Sequence, residues 1–249
     1  MFDQQAMKRC HQVLCEVLVT LSDVSADIYL VGGWAVYYIL FAPDSSVRRL
    51  RYAGTLDVDV ALVLQVRERE GVLERFVSRG YVPDKRIENR LLRGFPGGDE
   101  VAVDFLGGDK EILEGLTHHI PVVGETPEGE TFKGSVAAVN LEACLAMKAI
   151  AFNRDPKPKD AYDIYYLVTH GQDEQGDCAD HVKAKLDFPL IRRGLEALEI
   201  HFGRLEGRGL RQAMQLLRDF DGMEPGAARA AVRGSLRAFF RKLGKDVNY

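Results

Sequence analysis

The stretch Gly54–Val63, GTLDVDVALV, decides how this chain is read, because it sets two aspartates, Asp57 and Asp59, inside an apolar run of strand character. Side chains alternate along a strand, so Asp57 and Asp59 share one face while Leu56, Val58 and Val60 take the other. Two carboxylates at the edge of a core cost several kcal/mol, on the order of 3–5 where no partner compensates them. An exposed strand face with solvated acids is the plain alternative. A second segment weighs against it: VAVDFL supplies Asp104 between the same kind of apolar flanks, on another expected strand. Three acids on neighbouring strands form an oxygen cage suited to a hard divalent cation, Mg²⁺ or Mn²⁺. Such a cage suits phosphoryl chemistry on a triphosphate.

Working outward, IYLVGG reads as a short strand entering a glycine turn, and WAVYYILF resumes as a helix closed by Pro43. Gly32-Gly33 therefore stands at a helix N-terminus, where backbone amides and the helix dipole favour an anion. A tight turn is the alternative reading of a bare glycine pair. Ahead of it, Gln4 to about Leu21 spaces Val13, Leu14, Val17, Leu18 and Leu21 for an amphipathic helix. After it come a basic loop with Arg48, Arg49 and Arg51, the DVD strand, and a helix in VREREGVLERFVSRG ending at Gly80. Strands are expected at about Arg86–Leu92, Val101–Leu106 and His119–Val123. From Asn140 the pattern turns helical, broken at HGQDEQGD and DGMEPG. The expected organisation is α+β: a mixed-sheet lobe over residues 1–135 and a C-terminal helical bundle over residues 136–249.

Two further segments carry chemistry. In MKAIAFNRDPKPKDAYDIYYLV, Lys148 and Arg154 lie on one helix, Pro156 and Pro158 force a bend, and Lys159, Asp160 and Asp163 begin the next. A helical hairpin with surface charges would look the same. In the last helix, Arg229, Arg233, Arg237 and Arg241 recur every fourth residue beside an apolar stripe of Val232, Leu236, Phe239 or Phe240 and Leu243. Like charges at that spacing repel by a few tenths of a kcal/mol per pair. An anionic partner such as an RNA backbone would offset this, and a solvated face is the alternative. His118, His119 and Trp34 read as packing or surface residues.

Composition narrows the classes. At 249 residues with 46% hydrophobic content the chain can bury two cores. Its formal net charge of −4 excludes a whole-surface nucleic-acid binder but leaves room for a local basic patch. Cys10, Cys15, Cys144 and Cys178 form no CxxC pair and are expected as reduced thiols. Neither a signal peptide nor a transmembrane run is read, so a soluble cytoplasmic protein without membrane contact is expected.

Taken together, VGGWA at Val31–Ala35, TLDVDV at Thr55–Val60, VDFL at Val103–Leu106 and the Lys148…Arg154…Lys159-Asp160-x-x-Asp163 run resemble the AbiEii/AbiGii nucleotidyltransferases. These belong to the polymerase-β-like superfamily and include toxins of type IV toxin–antitoxin and phage-abortive systems. The resemblance covers about Ile28 to Leu167. It implies a polymerase-β-like lobe that moves a nucleoside monophosphate from an NTP to an acceptor, RNA such as a tRNA 3′ end, with a possible cognate antitoxin as partner. It implies metal roles for Asp57 and Asp59, and a metal or general-base role for Asp104. Nucleotide contacts fall to Gly32, Gly33, Thr55, Lys148, Arg154, Lys159 and Asp160, and an essential role to Asp163. One departure is that Ala53 stands where members often carry arginine, and the nearest arginine is Arg51. Two other functions fit the same residues: adenylylation of a small hydroxylated drug, or non-catalytic nucleotide binding.

Overall fold

The computed structural model describes residues 4–23, 28–41, 52–63, 66–108, 110–204, 206–245 and 247. Pro43 and the expected basic loop with Arg48, Arg49 and Arg51 lie outside the described residues. The chain divides into two units, Phe2–Ala35 with Gly54–Val139, and Val36–Ala53 with Asn140–Tyr249.

The first unit is built on a seven-stranded mixed sheet. Its strands are β1 (Ile28–Leu30), β2 (Asp57–Leu62), β3 (Val82–Pro83), β4 (Arg90–Gly94), β5 (Glu100–Gly107), β6 (Thr117–Glu125) and β7 (Thr131–Val139). They lie in the order β3-β4-β5-β2-β1-β7-β6. β2 runs parallel to β5 and antiparallel to β1, while β1 runs parallel to β7. Val58 and Val60 are buried, as the alternation demands, and the strand begins at Asp57, so Leu56 falls in a bend and is 37% exposed. Helix α1 (Gln4–Thr20) packs against this sheet through Val13, Leu14, Val17 and Leu18, all buried. The same helix buries Glu16, a charge that the apolar spacing gives no hint of. The hydroxyl of Tyr81 donates to it at 2.7 Å and the Arg93 guanidinium lies at 3.3 Å. Burial still pushes its carboxyl above the usual range, against the pull of Tyr81 and Arg93.

The expected strand at Arg86–Leu92 forms four residues later, as β4. Asp84 accepts from the amide of Arg86, holding a turn there, and Asn89 takes a left-handed φ of 60° just before the ladder begins. β7 is a strand that the pattern conceals, since Gly134 and Ser135 interrupt its alternation.

The second unit is helical: α5 (Leu141–Arg154), α6 (Pro158–His170), α7 (Cys178–Ala184), α8 (Pro189–Phe202), α9 (Arg208–Asp221) and α10 (Pro225–Lys242), following α2 (Gly32–Leu40), α3 (Val66–Ser78) and α4 (Lys110–Leu113) earlier in the chain. Asn140 caps α5, its side chain accepting from the amide of Ala143, and Pro158 opens α6 at a position that needs no amide donor. A two-stranded ribbon, β8 (Gln172–Asp173) with β9 (Gly176–Asp177), replaces the turn expected in HGQDEQGD. Tyr52, Tyr162 and Tyr166 form an aromatic cluster, with Tyr162 and Tyr166 both donating to Asp221. All four cysteines are buried and unpaired. Among the described residues no helix is long and apolar enough to cross a membrane.

Candidate active site

The parallel pairing of β2 with β5 sets Asp59 directly beside Asp104, with Asp57 two residues earlier on the same face. One carboxylate oxygen from each of the three lies within 4.8 Å of the others, and all three residues are half-buried. Among the described residues this is the only group of His, Cys, Asp and Glu that could hold a metal in this way. Three hard oxygen donors, partly shielded from water, fit a Mg²⁺ or Mn²⁺ ion.

Local contacts fix two of the acids. The buried Thr55 donates its hydroxyl to Oδ1 of Asp57 at 2.6 Å, so Thr55 orients an acid of the trio. Gly32 and Gly33, at the start of α2, lie against Asp59 and Thr55 respectively. A side chain at Gly32 would place its Cβ 1.8 Å from Oδ2 of Asp59, and one at Gly33 would meet Oγ1 of Thr55 at 2.2 Å. Gly32 also has a φ of 63°, a conformation that L side chains disfavour by about 1–2 kcal/mol. The glycine pair is thus required by the close approach of the helix to the acidic strand. Beneath β2, Trp34 donates to Sγ of Cys10 at 3.2 Å, and burial raises the Cys10 thiol to about 12, which keeps it inert.

Asp104 has a partner that sequence reasoning missed. Arg90 on β4 lies opposite it in the antiparallel register and grips it with both arms of the guanidinium, Nε to Oδ1 at 2.6 Å and Nη2 to Oδ2 at 2.7 Å. The hydrogen bond to Asp104 holds the guanidinium above its ordinary pKa against partial burial, with Asp57 adding to the effect. No local pattern marks Arg90, since the pairing is set by the register of β4 on β5.

The helical unit gathers Lys148, Lys159, Asp160 and Asp163. Asp163 is fully buried; Tyr52 donates to its Oδ1 at 2.7 Å, Lys159 binds the same oxygen, and Lys148 lies 3.0 Å from Oδ2. Lys148 also donates to Asp160 at 2.8 Å. Burial alone would raise the Asp163 carboxyl, yet Lys159 and Lys148 outweigh it and hold it below the usual carboxylate value. Burial, followed by the charge of Asp163, pushes the Tyr52 hydroxyl well above its ordinary value, so it remains a donor. Arg154 is exposed at the end of α5 and makes none of these contacts. On α10, Val232, Leu236, Phe239 and Phe240 are buried, while Arg229, Arg237 and Arg241 are exposed and Arg233 is half-buried.

No curated protein sequence matches the chain. Solved structures similar to it include an antigenic nucleotidyltransferase-like protein from Paracoccidioides brasiliensis, at 15% identity and a TM-score of 0.40 over 78% of this chain and 94% of that one. The antibiotic-resistance factor ANT(2'')-Ia is similar at 15% identity and 0.36, over 94% of each chain. The lincosamide antibiotic adenylyltransferase LnuA matches at 14% and 0.35, over 61% of this chain and 94% of that one. A family model described as "Nucleotidyl transferase AbiEii toxin, Type IV TA system" matches residues 55–243, a span that starts at Thr55 and takes in the acid trio, the lysine cluster and α10. The chain therefore belongs to the AbiEii nucleotidyltransferase toxin family.

Proposed function

We propose that this nucleotidyltransferase moves a nucleoside monophosphate from an NTP to an RNA acceptor, such as the 3′ end of a tRNA, and acts in the cytoplasm as the toxin of a toxin–antitoxin pair. The observation that carries the transfer chemistry is the convergence of Asp57, Asp59 and Asp104 within 4.8 Å on two parallel strands. In the reaction an acceptor hydroxyl oxygen bonds to the α-phosphorus, the α–β phosphoanhydride bond breaks, pyrophosphate departs and the hydroxyl proton passes to a carboxylate or water. Asp57, Asp59 and Asp104 would hold the divalent ion, which when bound neutralises phosphate charge and lowers the pKa of the attacking hydroxyl. Thr55 keeps Asp57 aimed, and Arg90 does the same for Asp104. Because both Asp104 oxygens are engaged by Arg90, a ligand role suits that residue better than proton transfer.

In the helical unit Lys148 is the proposed phosphate contact, and the buried Asp163 holds it in place together with Lys159. Three exposed arginines on α10 support RNA as the acceptor, since phosphate contacts by Arg supply most of non-specific RNA affinity. The family's description, a type IV toxin–antitoxin system, supports a cognate antitoxin as partner. Four buried, unpaired cysteines suit a reducing compartment.

Incubating the protein with each labelled NTP, Mg²⁺ and total RNA tests the reading. One NTP should label RNA, and Asp57→Ala, Asp59→Ala or Lys148→Ala should abolish labelling while helical content stays that of the parent. Full labelling by any of the three variants would mean that the chemistry lies elsewhere.

A further inference from the structure

The acid trio carries a fixed counter-ion. Register places Arg90 on β4, Asp104 on β5 and Asp59 on β2 in a single row across the sheet, all on the face that bears Asp57. The guanidinium occupies both oxygens of Asp104, and with the two side chains only 22% and 15% exposed, water screens the pair weakly. The guanidinium offsets part of the negative charge that Asp57, Asp59 and Asp104 present to a cation. Without Arg90 the trio would hold −3 and attract cations whether or not a nucleotide were present.

We propose that Arg90 makes metal retention by the acid trio dependent on nucleotide: it keeps one oxygen of Asp104 in ligand orientation and weakens the nucleotide-free site for divalent ions, so that firm occupancy waits for the charge of a triphosphate. This rests on the proposed function of the trio. A planar fork suits the task because it fixes the carboxylate plane as well as supplying charge, which a lysine at the same place would not. Arg90 is thus a positioning residue: it acts on the reaction through Asp104.

Mn²⁺ titration followed by electron paramagnetic resonance tests this, with and without a non-hydrolysable α,β-methylene NTP. The parent protein should bind Mn²⁺ at least about tenfold more tightly with the analogue than without it. Arg90→Gln should tighten nucleotide-free binding about tenfold or more, since even water-like screening leaves a unit charge a few ångström from a dication worth that factor. Arg90→Lys should keep nucleotide-free affinity within about twofold of the parent yet lower kcat, because charge remains and the fork is lost. Equal or weaker Mn²⁺ binding by Arg90→Gln would overturn the proposal, as would a parent affinity that ignores the nucleotide, a result that stands even where a variant fails to fold. Mn²⁺ binding that survives Asp57→Asn with Asp59→Asn would instead show that the trio does not hold the metal, which refutes the proposed function and not merely the role of Arg90.

Discussion

Replacing Asp163 by Asn keeps the shape of the side chain and removes the charge on which two lysines converge. Asn retains an oxygen to accept from Tyr52, so the hydroxyl bond at 2.7 Å need not be lost. What is lost is the ion pairing with Lys148 and Lys159, whose side chains are only 13% and 26% exposed. Removing one member of a buried pair costs about 3–5 kcal/mol. Lys148 keeps Asp160 at 2.8 Å and Lys159 reaches partial solvent, so a loss of about 2–4 kcal/mol is expected at pH 7. The pH dependence has a definite sign. Asp163 is held below its unfolded value of about 3.9, so its stabilisation is fully present above that pH and disappears as pH falls through the folded value. Parent and variant should therefore differ fully at pH 7 and pH 5, and the gap should narrow as pH falls below about 4 and through the lower folded value. Urea unfolding should be followed by far-ultraviolet circular dichroism, because the single tryptophan, Trp34, belongs to the sheet unit and does not report on this cluster. A difference under about 1 kcal/mol at pH 7, or a gap unchanged down to pH 3, would refute the account of a charge-compensated buried carboxylate.

Two other outcomes follow from the site. Gly32→Ala should cost about 1–2 kcal/mol from its left-handed backbone alone and displace the Asp59 carboxylate, which its Cβ would otherwise meet at 1.8 Å; Mn²⁺ affinity falling together with a stability loss of at least this size is the expected result, and unaltered Mn²⁺ binding would show that Asp59 is not a ligand. Replacing Arg229, Arg233, Arg237 and Arg241 together by Gln should weaken RNA binding and flatten its salt dependence, with stability changed by less than about 1 kcal/mol because the repulsion between neighbours is relieved; RNA binding unchanged at low salt would remove α10 from the acceptor surface.

How much of this was legible in the sequence depends on how far each feature reaches along the chain. The period-two pattern of TLDVDV and VAVDFL places Asp57, Asp59 and Asp104 on strand faces because alternation is a property of five or six consecutive residues. The α1 stripe is local in the same sense. Arg90 was invisible for the opposite reason: whether it meets Asp104 or points away depends on the register of two strands joined by the Phe95–Asp99 turn, and a shift of one residue would turn it to the other face. Tyr52 and Asp163 are separated by 111 positions, and no spacing rule reaches that far. The glycine pair shows the limit most clearly, since an amide cradle for phosphate and a gap for a neighbouring acid leave the same two letters in the sequence. Only the 1.8 Å and 2.2 Å approaches reveal that Asp59 and Thr55 already require glycine at those positions. The candidate acids are therefore readable one strand at a time, whereas Arg90 and Tyr52, which bind Asp104 and Asp163, become readable only once the register and the packing are known.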